Sequence, residues 1–326
     1  ALQPAARDAA SVLLAVGSFI PASPNFVELV TIRDGLPQFA QNPVRMPHYF
    51  PPSRVRWINQ DSLVTSSDYI RIWNVKGELQ KLLSHDSNPN NLCAPITSVD
   101  SHEGQSRYLA SCDVYGILSL WDTAEGKIIN KQDLGQSLCD VAFSSSGMLA
   151  IAGDKGDIFL RDPRVSNDVH VVSLRERISG PARLSWSGYD QLAVSWQGDE
   201  GGLAVYNRVG QTWTGTLLRS SRLGSSFADL DWCPNSDFQN YLCSAHEGRG
   251  VEVWKVSDDV ARGTEPCFQA AHSAICTSLS LCEVQGKQFA MLATMPAQQA
   301  ASANAGSLWV AALPDFAAQP STPLLA

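Results

Sequence analysis

Short apolar segments that alternate with polar residues recur along the chain, and each ends at a turn. Within residues 107–122, Tyr108 to Ser111 predicts one strand, residues 114–116 a tight turn, and Ile117 to Trp121 a second, antiparallel strand. A single hairpin of this kind cannot bury its apolar faces, so its recurrence predicts that neighbouring copies complete the core. No stretch combines a 3.6-residue period with a helix cap, which predicts an all-β protein.

Two series of aligned positions give the spacing of these copies. The first marks the end of the second strand of each hairpin, at intervals of 40 to 55 residues: Val30, Trp73, Trp121, Arg161, Tyr206, Trp254 and Trp309. The second lies upstream of the hairpins, with its first three spacings all 43 residues: Trp57, Asp100, Phe143, Trp186 and Trp232. Each member of the second series ends an alternating segment before a polar turn, which is typical of the innermost strand of a propeller blade.

A period near 40 to 50 residues with four short strands per repeat is typical of β-propeller blades. The sequence therefore predicts one domain, a seven-bladed β-propeller, with blades over residues 12–41, 53–83, 95–133, 137–173, 181–218, 226–270 and 274–313 and an extended tail over 314–326. On these bounds the first blade begins at its second strand and the last ends at its third. Ring closure then requires a further strand from residues 1–10, from the tail or from residues outside this sequence.

Composition narrows the functional class. A hydrophobic content of 44% with 17% charged residues predicts a large core, and a net charge of −8 disfavours direct nucleic-acid binding. No run reaches the roughly 20 apolar residues that a membrane span needs. The eight cysteines lie mostly in apolar segments without a compact framework, so we expect reduced thiols in an intracellular compartment, the cytoplasm and nucleus or an assembly elsewhere.

No constellation of residues indicates catalysis or metal binding. Cys243 and His246 lie three positions apart in a predicted strand, so they face opposite sides and do not share a metal. The six histidines lie far apart in loops or at strand ends, where we expect solvated surface or hydrogen bonding within blades. No Ser, Cys or Thr stands in the frame of an activated nucleophile. The sequence predicts a non-enzymatic protein without a metal or cofactor.

Three segments resemble one branch of the WD-repeat superfamily: residues 13–30, residues 63–75 and above all residues 91–100, NLCAPITSVD. The last is similar to a peptide between the second and third blades in the family of the plant regulator transparent testa glabra. That family includes the plant light-regulated WD proteins and animal homologues that associate with cullin-RING ubiquitin ligases and dual-specificity kinases. The resemblance covers residues 13–312 and weakens after Trp121. The connection between the third and fourth blades, residues 131–138, is shorter than in the family and lacks the His that the family has there. It implies a seven-bladed β-propeller of WD repeats.

The resemblance also implies a test of blade chemistry. In regular WD blades an Asp just before the turn glycine, a His, a Ser or Thr, and the Trp form a buried hydrogen-bond network. Here Tyr115 and Lys155 occupy the expected Asp position in two blades, and only Asp68 approximates it. We therefore expect blades that rest mainly on apolar packing, because half a buried polar network is worse than none.

Two kinds of interaction site are predicted. Residues 161–164, Arg-Asp-Pro-Arg, resemble the Trp/Phe-Asp-x-Arg box through which many propellers dock onto a ubiquitin-ligase adaptor, with Asp162 orienting Arg164. The alternative is an ordinary strand end with a Pro stop. The loops over residues 41–52 and 84–95 are the second kind, since exposed loops on a rigid scaffold often carry binding. Their candidate residues are Tyr49, Phe50, Asn91, Cys93 and Pro95. The alternative for Tyr49 and Phe50 is that they cover the edge of the first blade.

The predicted function is a scaffold that assembles a multiprotein complex. The resemblance implies as partners helix-loop-helix and Myb-type transcription regulators, a dual-specificity kinase or a ubiquitin-ligase adaptor. A different hypothesis is a permanent structural subunit of a large assembly, such as a ciliary or organellar complex. An enzyme site in the central channel is not supported, because no acid, base or metal set converges on the predicted inner strands.

Overall fold

The computed structural model describes residues 2–8, 11–19, 24–85, 94–102, 107–164, 169–173, 182–188, 190–197, 201–209, 212–220, 227–234, 240–246, 250–256, 266–271, 275–285, 287–295 and 307–314. Every regular element in these ranges is a β-strand. Among them there is no helix with the length and apolar character that a membrane crossing requires.

The strands form seven antiparallel sheets that follow one another along the chain. Blade 1 contains β1 (Leu2–Asp8), β2 (Ser11–Gly17), β3 (Asn25–Arg33), β4 (Leu36–Gln38) and β5 (Arg45–His48). Blade 2 contains β6 (Arg54–Asn59), β7 (Ser62–Ser66), β8 (Ile70–Asn74) and β9 (Leu79–Leu83), and blade 3 contains β10 (Ile96–Ser101), β11 (Tyr108–Asp113), β12 (Ile117–Asp122) and β13 (Lys127–Asp133). Blade 4 contains β14 (Leu138–Phe143), β15 (Leu149–Gly153), β16 (Asp157–Arg161) and β17 (Val169–Ser173). Blade 5 contains β18 (Ala182–Trp186), β19 (Leu192–Trp196), β20 (Gly202–Val209) and β21 (Thr212–Ser220). Blade 6 contains β22 (Phe227–Trp232), β23 (Tyr241–His246), β24 (Gly250–Lys255) and β25 (Phe268–Ala270). Blade 7 contains β26 (Ile275–Val284), β27 (Lys287–Met295) and β28 (Ser307–Ala312).

This arrangement confirms the predicted fold class, a seven-bladed β-propeller. The first series of marks, from Val30 to Trp309, falls on the third strand of each sheet. The second series, from Trp57 to Trp232, falls on the first strand of blades 2 to 6. Both series were visible because strands repeat the same alternation in each blade.

The core runs round the ring between the blades. Seven clusters of buried apolar residues each combine side chains from two neighbouring sheets. On β11, Leu109 packs with blade 2 and the adjacent Ala110 packs with blade 4. Successive side chains of a strand point to opposite faces, so a blade that is covered on both faces needs apolar residues at consecutive positions.

Blade 1 is built entirely from the start of the sequence. Residues 2–8 supply its first strand and pair with β2 from Leu2↔Val16 to Asp8↔Ser11. Of the three sources considered above, the segment 1–10 therefore provides the inner strand. Blade 1 then packs on blade 7 through a shared cluster that includes Leu14 and Met291, both fully buried. This packing closes the ring of described blades.

The predicted loop over residues 41–52 is partly a strand, which corrects the sequence interpretation. β5 pairs with the first half of β3 from Asn25↔His48 to Glu28↔Arg45, while β4 pairs with the second half. The fourth strand of blade 1 is thus split into two pieces. Met46 and His48 on β5 are buried, whereas alternation along only four residues was too short to predict a strand.

Candidate protein-interaction surfaces

The predicted interaction residues lie at opposite ends of the ring. In an antiparallel sheet, the turns between the first and second strands and between the third and fourth strands share one end, here called the lower end. The other turns and the blade-to-blade connections share the upper end. Asp162 and Arg164 follow β16 and lie at the lower end, while Tyr49, Phe50 and Pro95 lie at the upper end. Asn91 and Cys93 lie outside the described residues.

Asp162 and Arg164 form a bidentate ion pair. Arg164 donates from Nε to Asp162 Oδ1 and from Nη2 to Asp162 Oδ2, both at 2.8 Å, and its main-chain N–H donates to Asp162 Oδ1 at 2.9 Å. The guanidinium holds the pKa of the Asp162 carboxyl below its ordinary value. The Arg164 side chain is 66% exposed, so this lower-end cation is oriented and still accessible.

Arg161 takes the position that a Trp occupies in other blades. Its side chain is buried on β16, and Nη1 donates to Asn130 Oδ1 at 3.1 Å and to Gln132 Oε1 at 2.8 Å on β13 of blade 3. Burial lowers the pKa of Arg161. The third strand of blade 4 is thus anchored by amide side chains of the neighbouring blade, and the residues that follow it remain at the surface.

Blade 3 carries a second carboxylate–guanidinium pair at the lower end. Arg107 Nε donates to Asp122 Oδ2 at 2.7 Å, and this hydrogen bond lowers the pKa of Asp122. Asp122 follows Trp121, as Asp162 follows Arg161. The sequence analysis did not predict this pair, because Arg107 precedes β11 and lies 15 residues before Asp122.

Exposed aromatic side chains distinguish the upper end of blades 1 to 3. Tyr49 and Phe50 are 64% and 52% exposed, and their rings meet edge to face with centroids 4.8 Å apart. Phe19 and Tyr115, in the second-to-third-strand turns of blades 1 and 3, are 65% and 70% exposed. This exposure disfavours the alternative that Tyr49 and Phe50 serve to cover the edge of blade 1.

The described part of the connection between blades 2 and 3 is fixed to the rest of the upper end. The carbonyl of Pro95 accepts a hydrogen bond from the main-chain N–H of Val114 at 3.3 Å, in the turn that presents Tyr115. Ala94 is buried and Pro95 is exposed. The segment that carries the family resemblance therefore meets the turn of blade 3 at the surface.

Buried polar networks accompany the apolar packing in three of the described blades, and the network of blade 3 contains an Asp that the sequence analysis did not predict. In blade 3, Trp121 Nε1 donates to Ser111 Oγ at 2.8 Å, Ser111 contacts His85 Nε2, and His85 Nδ1 lies 3.0 Å from Asp113 Oδ2. Asp113 also accepts main-chain hydrogen bonds from the turn that follows it. Burial alone would raise its pKa, but the hydrogen bond from His85 and those from the turn hold it below the ordinary value.

Blades 2 and 6 contain shorter versions of the network. In blade 2, Trp73 Nε1 donates to Thr65 Oγ1 at 2.9 Å, and Thr65 Oγ1 lies 3.0 Å from His48 Nε2. Burial lowers the pKa of His48 to about 4. In blade 6, Trp254 Nε1 donates to Ser244 Oγ at 2.9 Å, and Ser244 contacts His246. These histidines are buried within blades, in agreement with one of the two roles expected for them.

Charged residues from several inner strands also lie close together at the centre of the ring. The sequence analysis did not predict this cluster. Arg54 on β6 contacts Asp140 on β14 at 2.6 Å and Asp229 on β22 at 3.6 Å, so it links blades 2, 4 and 6 across the centre. Burial opposes the charged form of Arg54, but the two carboxylates raise its pKa. Ser98 and Ser278 donate to the same two carboxylates.

Main-chain groups also bind the two carboxylates of this central cluster. Asp140 Oδ2 and Asp229 Oδ2 accept main-chain hydrogen bonds from Leu184 and Leu279 on the inner strands of the following blades. Both carboxylates are therefore held by fixed donors from neighbouring strands. Within the described ranges, no group of three or more His, Cys, Asp or Glu residues has the arrangement of a metal site.

The seven sheets, three of which contain a Trp-centred network, define a β-propeller of the WD-repeat type. No protein-family model matches the chain. The chain is 24% identical over 260 residues to a protein of Dictyostelium discoideum described as "DDB1- and CUL4-associated factor 7 homolog". The match covers 75% of this chain and 77% of that relative. This distant similarity agrees with the WD-repeat resemblance, while membership of the transparent testa glabra branch stays a prediction.

Proposed function

We propose that the chain is a non-enzymatic scaffold that docks onto the DDB1 adaptor of a cullin-RING ubiquitin ligase through its lower end. The observation that carries this proposal is the exposed, bidentate Asp162–Arg164 pair directly after the third strand of blade 4. The relative's description, which refers to DDB1 and CUL4, supports the same partner. A general scaffold role is supported by the ring itself, which presents loops from seven blades on a rigid core.

The geometry of the pair suits it to a docking contact. Asp162 engages Nε and Nη2 of Arg164, and no described residue engages Nη1. A guanidinium that is already fixed loses less side-chain entropy on binding than a free one. The Arg107–Asp122 pair adds a second oriented cation on the neighbouring blade. Both pairs would meet acceptor groups of an adaptor surface.

The upper end has the composition of a second binding surface. Large, rigid aromatic side chains such as Tyr49, Phe50 and Tyr115 supply contact area at low entropic cost, and such residues dominate the energy of protein interfaces. Pro95 lies at the same end. Asn91 and Cys93 precede Pro95 in the connection between blades 2 and 3, and we predict that they contribute to the same binding surface. By resemblance, the protein bound there would be a transcription regulator or a dual-specificity kinase.

Direct binding to purified DDB1 tests the lower-end role. We expect Arg164→Ala in the full chain to weaken binding at least tenfold, because the substitution removes the oriented cation and leaves Asp162 unpaired. Biolayer interferometry measures the affinity. Arg45→Ala is the matched control, since Arg45 also forms an exposed pair with a carboxylate, Glu28 at 2.8 Å, but in blade 1. Absence of binding by the unsubstituted chain, or an equal loss with Arg45→Ala, would contradict the proposal.

A further inference from the structure

One arginine on an inner strand has no bonded partner among the described residues. The inner strands whose side chains are described carry three arginines, Arg54, Arg56 and Arg183. Arg54 and Arg56 both bind aspartate carboxylates, whereas Arg183 on β18 of blade 5 makes no hydrogen bond or ion pair with any described residue. A guanidinium presents five N–H donors, and withdrawing donors from water without an acceptor costs free energy. Arg183 therefore lacks a group that accepts its hydrogen bonds.

The neighbours of Arg183 place it at the upper mouth of the central channel. It is the second residue of β18, which begins at the upper end, and its side chain is half-buried. The next residue, Leu184, donates its N–H to Asp140 Oδ2 at 2.9 Å. The charges of Arg54, Asp140 and Asp229, which meet at the centre of the ring, act on the Arg183 guanidinium. Arg183 thus belongs to the channel and remains open to solvent there.

A second polar group without a partner lies beside Arg183. Ser195 on β19 stands directly opposite Arg183, so the two side chains share one face of blade 5. That face is turned toward blade 6, because Ser185, two residues after Arg183, donates to Asp231 Oδ1 at 3.4 Å. Ser195 is 1% exposed, and its Oγ has no hydrogen-bond partner among the described residues. Side chains in such a pair have Cβ atoms about 5 Å apart, so one small group can contact both.

The charges around Arg183 favour a ligand with one negative charge. Burial and the charge of Arg54 lower the pKa of Arg183, and the nearby carboxylates offset only part of this effect. An anion bound to the guanidinium removes this penalty. A dianion such as phosphate meets stronger repulsion from the buried carboxylates of Asp140 and Asp229. A carboxylate carries a single charge, and its two oxygens match the paired N–H groups of a guanidinium.

We propose that Arg183 and Ser195 form a carboxylate-binding site at the upper mouth of the central channel. The guanidinium of Arg183 donates two parallel hydrogen bonds to the carboxylate oxygens, and the Ser195 hydroxyl donates a third. The carboxylate belongs either to a small organic acid or to an acidic side chain that enters the channel. The site is independent of the Asp162–Arg164 pair at the lower end, so it does not depend on docking to a ligase adaptor.

Arginine side-chain NMR spectra of the full chain test the site with a small acid. Sodium acetate is the probe, and the controls are acetamide, which has nearly the same shape without the charge, and sodium chloride at equal ionic strength. We expect acetate to shift the Nε–H signal of Arg183 saturably, whereas neither control shifts it. An equal response to acetate and acetamide, or to acetate and chloride, overturns the proposal.

A blocked tripeptide, with a central glutamate between two glycines, separates the two sources of a carboxylate. Its control has glutamine in place of glutamate and should not shift the Arg183 signal. Tighter binding of the glutamate peptide than of acetate assigns the site to an acidic side chain, and the reverse assigns it to a small organic acid. An acetate response that appears only in a Glu176→Gln variant overturns the proposal, because the chain would then fill the site with its own carboxylate.

Substitutions at the site provide the matched comparison, with the rise in Tm on addition of acetate as the measurement, since a ligand of the folded state stabilises it. Arg183→Gln should abolish the rise. Arg183→Lys keeps the charge without the paired N–H groups and should weaken binding about tenfold, and Ser195→Ala should weaken it about threefold. Arg45→Gln is the control, because Arg45 already pairs with Glu28, and it should respond like the unsubstituted chain.

The stability of Arg183→Gln without acetate distinguishes a binding residue from a structural one. Because Arg183 makes no bond with the described residues, the variant should unfold at the same urea concentration as the unsubstituted chain or at a higher one. A lower midpoint would assign Arg183 a structural role and overturn the proposal. If Arg183→Gln does not fold, the acetate response of Arg183→Lys decides, and a response equal to that of the unsubstituted chain overturns the proposal.

Discussion

At the scale of single residues, the Asp that completes the polar network of blade 3 is not where alignment on the turn glycine puts it. Tyr115 directly precedes Gly116 and is exposed, while Asp113 lies three residues before that glycine and is buried. From there its Oδ1 accepts the N–H groups of Tyr115 and Ile117, and Oδ2 faces His85. One carboxylate thus fixes the turn and orients the histidine.

Replacing Asp113 tests the weight of this network. We expect Asp113→Ala to lower the free energy of unfolding by about 2–3 kcal/mol, because it leaves a buried histidine and two main-chain N–H groups without their acceptor. Urea denaturation of the full chain measures the change. Tyr115→Ala, two positions away and exposed, is the control and should change stability by less than about 0.5 kcal/mol. Equal effects of the two substitutions would mean that the network is dispensable.

Arg161, at the Trp position of blade 4, shows which features of a residue could be predicted from the nearby sequence. The repeat spacing placed Arg161 on a third strand, and that position is correct. Its burial and its partners Asn130 and Gln132 were not predictable, because they lie about thirty positions earlier and on another blade. The Asp162–Arg164 pair was predictable because both members lie within one turn.

At the scale of elements, the inner strands need partners for the edge that faces the channel. Carboxylates supply them: each accepts an N–H from the inner strand of the next blade. The contacts join Asp100 to Phe143 at 2.7 Å, Asp140 to Leu184 at 2.9 Å, Asp229 to Leu279 at 3.1 Å and Asp231 to Leu281 at 3.3 Å. This arrangement satisfies buried main-chain groups and joins successive blades without strand pairing between them.

Arg54 balances the negative charge of this arrangement. We expect Arg54→Leu to destabilise the fold by about 3–5 kcal/mol, since it leaves the carboxylates of Asp140 and Asp229 buried near one another without their cation. Chemical denaturation measures the loss. Arg56→Leu is the control from the same strand, because Arg56 pairs with Asp100 in a more exposed position, and it should cost less.

A double-substitution cycle sharpens this prediction. If Arg54 acts through Asp140, the effects of Arg54→Leu and Asp140→Asn will not be additive, and the double variant will be more stable than their sum implies. Additive effects, or a larger cost for Arg56→Leu than for Arg54→Leu, would rule out the bridging role.

Strands with a regular alternation of apolar and polar residues could be predicted from the sequence. Strands that form only because a neighbouring strand has an unpaired edge could not. The strands of blades 2 to 4 show repeated apolar positions because both of their faces are buried. β1 has the sequence LQPAARD, with no alternation, and it pairs because β2 offers an edge. β5 similarly pairs with the half of β3 that β4 leaves open. Tertiary context decides such strands, and local propensity does not.

At the scale of the whole molecule, the ring separates two surfaces of different chemistry. The lower end of blades 3 and 4 carries oriented guanidinium groups, and the upper end of blades 1 to 3 carries exposed aromatic rings. The core between them packs blade on blade around the circle, with clusters at all seven junctions. A rigid body of this kind can hold two proteins at a fixed separation, which is the physical content of the scaffold proposal.

Affinity purification of the tagged full chain from its native cell, followed by quantitative mass spectrometry, tests that central claim most directly. The unsubstituted chain is compared with Arg164→Ala at the lower end and with a Tyr49→Ala, Phe50→Ala double variant at the upper end. The account predicts that Arg164→Ala loses the ligase adaptor and retains the other partners, and that the double variant does the reverse. Loss of the same proteins from both variants, or an unsubstituted chain that purifies without a stable partner, would contradict it.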